Sequence, residues 1–135
     1  MGVTANFLMS LIDKLDIMPI WEIMRDNERE AGNEVIIPGS VEWLPADDWD
    51  PTIVVSRKGK DVRLIAILAA NPGNGAFRRL VAAIQAAGLV PVILAPSLEM
   101  RETVRRWGWY RRYVNSGFEQ EEQWRPRVKA GRKVQ

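Results

Sequence analysis

The feature that most constrains this chain lies between Val62 and Leu94, where four segments follow one another without a break. An apolar stretch (64–70) leads into the loop Asn71-Pro72-Gly73-Asn74-Gly75, then an amphipathic stretch (77–87), then a second apolar stretch (90–94). Apolar runs of this length without polar alternation predict strands covered on both faces. The stretch between them repeats apolar residues at helical spacing, with Leu80, Val81 and Ile84 inward, and Gly88 supplies a helix stop. A strand, a helix and a strand this close in sequence predict a right-handed crossover joining parallel neighbours. The fold class that follows is α/β, a mixed central sheet with flanking helices.

The rest of the chain is read as additions to that unit within a single domain spanning residues 1–135. Residues 1–33 carry apolar side chains at helical spacing, among them Phe7, Leu11, Leu15, Ile20, Ile23 and Met24, and predict two helices. A short extended stretch follows at 34–38, then an irregular segment at 39–51 with room for a short strand at 41–44. Residues 52–56 pair with the strand starting at Val62 through the turn Lys58-Gly59-Lys60. Ser97 is placed to cap a helix running to Trp107, with Glu99 in its first turn. A closing hairpin of 110–114 and 118–124 turns at Asn115-Ser116-Gly117, and the basic tail 125–135 is expected to be flexible.

Composition narrows the chemistry. The chain has neither cysteine nor histidine, which removes disulfides, thiolate nucleophiles and the commonest general base and metal ligand. Catalysis would have to use carboxylates, hydroxyls, lysines or backbone dipoles, and no resident metal is expected. No apolar run approaches the ~20 residues that cross a bilayer, and the first residues lack a secretory pattern, so a cytoplasmic protein without membrane contact is expected. Charge is uneven: the first fifty residues carry three basic and eleven acidic side chains, the remainder sixteen and six. The basic part suits an anionic cofactor or a nucleic acid, or is simply one face of an oppositely charged pair.

The glycine loop is the main functional candidate. Between a buried strand and a helix N-terminus, backbone amides converge at the positive end of the helix dipole, an arrangement that holds phosphate. Gly73 and Gly75 allow close approach, and Arg78 and Arg79 in the first turn either reach distal phosphates or form a solvated face. The loop is not a Walker A sequence, lacking Gly-Lys-Ser/Thr, and the Rossmann fingerprint is incomplete.

Taken together, residues 52–124 resemble the GNAT superfamily of acyl-CoA-dependent N-acyltransferases. That family has an Arg/Gln-x-x-Gly-x-Gly/Ala loop after a central strand, and Ala70-Asn71-Pro72-Gly73-Asn74-Gly75 stands in its place here with both glycines and with Ala70 at the leading position. Ser97, Val104 and Gly108-Trp109 stand at the spacing of the family's later Asn, Tyr and Gly-Phe. The resemblance implies acetyl-CoA as acyl donor, cradled by Leu68, Ala69, Ala70, Gly73, Asn74, Gly75, Ala76, Arg78, Arg79 and Ser97, and a primary amine as acceptor. It also implies splayed strands around 68–70 and 92–95 that grip the pantetheine arm, with an amide near Ala69 for the oxyanion.

By elimination the general base is sought among Glu42, Asp47, Asp48 and Glu99, each otherwise an ordinary surface charge, with Glu42 preferred. The hydroxyls of Ser97 and Tyr110 are the candidate proton donors, the first otherwise a helix cap and the second a packed strand residue. Six tryptophans are many for this length; Trp107 and Trp109 read as packing, while Trp43 and Trp49 line either an acceptor cleft or a homodimer interface. Two rival functions stand beside the enzyme: a non-catalytic interaction or assembly protein of the same fold, in a phage-like context, and a nucleic-acid-associated domain.

Overall fold

A computed structural model describes residues 19–116 and 119–127; the first helix expected within residues 1–18 and the tail beyond 127 lie outside the described residues. Among the described residues three helices, α1 (Ile20–Glu30), α2 (Ala76–Ala86) and α3 (Leu98–Arg106), flank a sheet of six strands. The strands are β1 (Glu34–Val35), β2 (Val54–Lys58), β3 (Asp61–Ala66), β4 (Val90–Leu94), β5 (Tyr110–Ser116) and β6 (Glu119–Arg125), in the spatial order β1-β2-β3-β4-β6-β5. The sheet is mixed: β3 and β4 are parallel and every other pair is antiparallel. None of the described helices is long and apolar enough to cross a membrane.

The strand–helix–strand unit forms as its apolar spacing predicts. Leu80, Val81 and Ile84 of α2 are buried, and Gly88 ends the helix in the left-handed conformation (φ 79°). They pack on one sheet face carrying Val55, Val62, Leu64, Ile93 and Trp124, with Val104 of α3 and Trp109 closing the core. The opposite sheet face is different in kind. Side chains alternate along a strand, so the registers Ser56↔Arg63 and Arg63↔Val92 place Ser56, Arg63 and Val92 together on it. There Arg63 binds Glu28 of α1, which identifies this as the face that α1 covers.

Several expectations are corrected. The apolar run 64–70 is not a strand buried on both faces: β3 ends at Ala66, Ile65 is half-buried and Leu68 is exposed. Its outer face meets an ionic network where a second apolar layer would otherwise sit. Residues 41–44 form turns, not a strand, with Leu44 fully buried and its carbonyl accepting from the Gly39 amide at 2.7 Å. Arg125 is not part of a flexible tail; it is the last residue of β6 and its guanidinium binds the Asp61 carboxylate at 2.6 and 3.2 Å. Helix α1 is attached by charge more than by its apolar stripe: Ile20 is exposed, whereas Arg25 is buried and donates to the carbonyls of Pro51 and Ile53 at 2.7 Å.

Candidate functional site

The site begins where two parallel strands part. β3 and β4 pair from Asp61↔Val90 to Leu64↔Ile93 and no further, although both continue. Past that point β3 turns to the other side, Ala66 pairing with Val54 and then Ala69 bridging Trp49. β4 turns the opposite way, with Leu94 pairing Gln123 and the Ala95 amide donating to the Glu122 carbonyl at 3.1 Å. The Trp49–Ala69 bridge is closed by Asp50 N–H to Leu68 O and Ala70 N–H to Asp48 O, both 2.9 Å. In that antiparallel pattern the N–H and C=O of Ala69 itself point away from Trp49, into the gap. A backbone edge is thereby presented to whatever occupies it.

Beside the gap lies a cleft of about 430 Å³ between the 67–76 segment and α3. Gly73 and Gly75 both adopt positive φ (87° and 83°), and Gly75 is the N-cap of α2 with no side chain capping the helix. The first-turn amides are therefore left for a ligand or water. Leu68, Ala69, Gly73, Gly75, Ala76, Arg78 and Ser97 all border the cleft.

Three residues expected there are placed otherwise. Ala70 has its amide committed to Asp48. Asn74 has its carbonyl held by Arg79 Nη1 at 2.6 Å. Arg79 itself is drawn to Asp48 Oδ1 at 3.3 Å and clasps the back of the loop, outside the cleft. Arg78 remains, with its guanidinium over the Trp107 ring at 5.1 Å and no ion pair to a described residue.

The catalytic expectations fare unevenly. Ser97 borders the cleft, and its Oγ accepts from the Met100 amide at 3.2 Å, so it caps α3 as the sequence suggested while its hydroxyl proton stays available to donate. Glu99 is exposed at the cleft wall. Glu42 is remote: it borders a separate crevice of about 150 Å³ with Trp43, Asp48 and Arg79, on the far side of α2. Asp47 is exposed in the 3-10 turn Ala46–Asp48, and Asp48 is engaged with Arg79. Tyr110 pairs with Arg125 at the end of the sheet opposite the splay and lies beneath Arg127, at 5.3 Å from its ring. Local sequence could not show this, since the end of the sheet a strand residue reaches is set by hairpin register.

A second cavity, about 590 Å³, opens on the α1 side of the splay. Its walls include Ile65, Leu94 and Ala95 from the parting strands, Tyr113 and Glu119 from the hairpin, and the Glu28–Arg63–Glu121 network beneath. Tyr113 and Glu119 were missed in the sequence; Tyr113, three positions beyond the tyrosine expected, pairs with Glu122 and borders this cavity, with the Arg111 guanidinium 5.4 Å from its ring. The Arg63 guanidinium lies 2.8 Å from both Glu28 and Glu121. Burial pushes the Glu28 carboxyl up, but the hydrogen bonds from Arg63, Ser56 and Asn33 outweigh it and hold it below the ordinary carboxylate range. Glu121 is lowered chiefly by Arg63, against its own burial. For Arg63, burial opposes the charge, yet the two carboxylates hold its pKa above the ordinary arginine value.

Ala95, at the rim of this cavity, is the one described non-glycine residue with positive φ (42°). A Cβ in the left-handed region costs about 1–2 kcal/mol. Ala95→Gly is therefore expected to raise stability by about 1 kcal/mol after glycine's own entropic penalty. Urea denaturation reads this directly, and a loss of stability would contradict the strain.

Of the tryptophans in the irregular segment, Trp49 is buried and Trp43 is packed half-buried on the core, and both border the small crevice beside Glu42. Among the described residues no group of three or more histidine, cysteine, aspartate or glutamate side chains is placed to hold a metal ion. No protein-family model, curated protein or solved structure matches the chain.

Proposed function

We propose that the chain is an N-acyltransferase of GNAT type that moves an acetyl group from acetyl-CoA to a primary amine. The observation that carries this reading is the loss of β3–β4 pairing after Leu64↔Ile93, directly beside the uncapped glycine loop. A pantetheine-like arm needs such a gap, in which its amides can pair with exposed strand edges, and a pyrophosphate needs the adjoining amides. The loop cleft holds the donor, and the cavity on the α1 side admits the acceptor. The amine nitrogen attacks the thioester carbonyl, the Ala69 amide stabilises the oxyanion, the C–S bond breaks, and the thiolate leaves as the thiol after protonation.

In this arrangement Glu119 and Tyr113 take the places first assigned to Glu42 and Tyr110. Glu119 accepts the amine proton through water, and Tyr113, which borders the same cavity, protonates the departing thiolate. Calorimetric titration with CoA and acetyl-CoA tests the donor site; absence of heat at millimolar ligand overturns the reading.

A second reading, a binder of the same fold without turnover, is favoured by Val104. It stands at the family's tyrosine position and is fully buried in the core. CoA binding with no thiol release across a panel of amines selects it.

A further inference from the structure

We infer that the outer surface joining α2 to Trp107 is a stacking platform for the adenine ring of a phosphorylated adenosine, the nucleotide end of the CoA-type donor; this rests on the acyltransferase reading. The donor cleft does not end at its glycine loop. A shallower depression of about 230 Å³, bordered by Val81, Ala82, Gln85 and Trp109, adjoins it, and Arg78 and Trp107 form the wall common to both. A ligand with its phosphates at the loop therefore has a route along α2 into this depression.

The chemistry of that wall is specific. Phe77 stacks on Trp107 with ring centroids 5.4 Å apart and planes 13° from parallel, and Trp109 meets Trp107 edge-on at 5.9 Å. Arg78 adds a planar cation over the same ring at 5.1 Å. Packed aromatics topped by a guanidinium form a rigid surface on which a base can stack, either on the indole or on the guanidinium plane. The same cation lies between loop and depression, where the phosphates joining the two ends of the ligand would pass. Gln85, exposed at the rim, offers an amide donor and acceptor to a base edge. An aliphatic ligand would use none of these polar features.

Tryptophan fluorescence and calorimetry with three probes test the platform: CoA, adenosine 3′,5′-bisphosphate, and 4′-phosphopantetheine, which lacks the adenosine. Trp107→Leu is expected to weaken CoA and the bisphosphate about tenfold, the scale of one lost stacking contact, and phosphopantetheine by clearly less, since for that probe Trp107 is only a wall of the cleft. Because Trp107 also packs on the core, Ala82→Glu is the companion variant: it is exposed on a helix, keeps helical propensity, and sets a carboxylate at the depression, with the same selective loss expected.

Equal losses for all three probes, or none, overturn the platform, as does a single-stranded oligonucleotide binding more tightly than the bisphosphate. If CoA and phosphopantetheine bind but the bisphosphate does not, the platform fails and the acyltransferase reading stands. Should only the bisphosphate bind, the platform stands and the acyltransferase reading fails.

Discussion

Gly75→Glu is expected to abolish CoA binding while leaving the chain folded. Gly75 caps α2 at φ 83° and borders the cleft, where its neighbouring amides are uncapped. A Cβ built there meets only Arg79 Nη1, at an ordinary 3.5 Å, so space is available for a side chain. The positive φ costs any such residue about 1–2 kcal/mol of stability. A carboxylate beside a bound pyrophosphate costs about 3–4 kcal/mol at an effective dielectric near 20, which is at least a hundredfold in affinity. Gly75→Ala separates the two effects, since it carries the same backbone strain without the charge. The expected pattern in calorimetry and thermal denaturation is a similar stability loss for both variants, with affinity reduced less than about tenfold for alanine and beyond detection for glutamate. Retained CoA binding by a folded Gly75→Glu variant would remove the loop from the site.

Arg63→Leu is expected to destabilise the fold by about 3 kcal/mol at neutral pH, measured by urea denaturation. The side chain is only 11% exposed and makes paired bonds to both Glu28 and Glu121, at 2.8 to 3.2 Å. Removing it leaves two largely buried carboxylates facing each other, an arrangement that costs more than the intact network contributes. The sign of the pH dependence follows from the direction of the shifts. Both carboxyls are lowered in the folded protein from an ordinary value of 4.5, so their stabilisation is present above that value and is lost as pH falls through the folded ones. In the variant they lose the guanidinium and protonate more readily. The gap between wild type and variant is therefore widest near pH 7 and narrows below about pH 4. A gap that does not change with pH would mean that lost packing, and not charge, accounts for the effect.

What could be read in advance depended on local patterning. The bounds of β4 (Val90–Leu94), the inward face of α2, its Gly88 stop and the Ser97 cap of α3 are all short-range consequences of residue type and spacing. The splay was expected from the family resemblance and not from the residues; its position became visible only when Leu64↔Ile93 proved to be the last shared pair. The site was half legible for the same reason. Gly73, Gly75 and Arg78 border the cleft because they belong to the loop–helix junction, whereas Arg79, the very next residue, is claimed by Asp48 from a distant segment. Tyr110 and Tyr113 are alike in local context, and only the register with β6 sends one to Arg125 and the other to Glu122 beside the splay.

The sequence by itself determined that a strand, a glycine loop and a helix lie in succession at the centre of an α/β domain, because apolar periodicity and glycine's access to positive φ act within a few residues. Tertiary structure alone decided that the outer face of β3 carries Arg63 between two glutamates, that the Ala70 amide is spent on Asp48 while Ala69 faces the gap, and that Tyr113 borders the cavity beside the splay. Each of these depends on which segments, far apart in the chain, become neighbours. That choice is made by packing and strand register over the whole domain, and no local pattern records it.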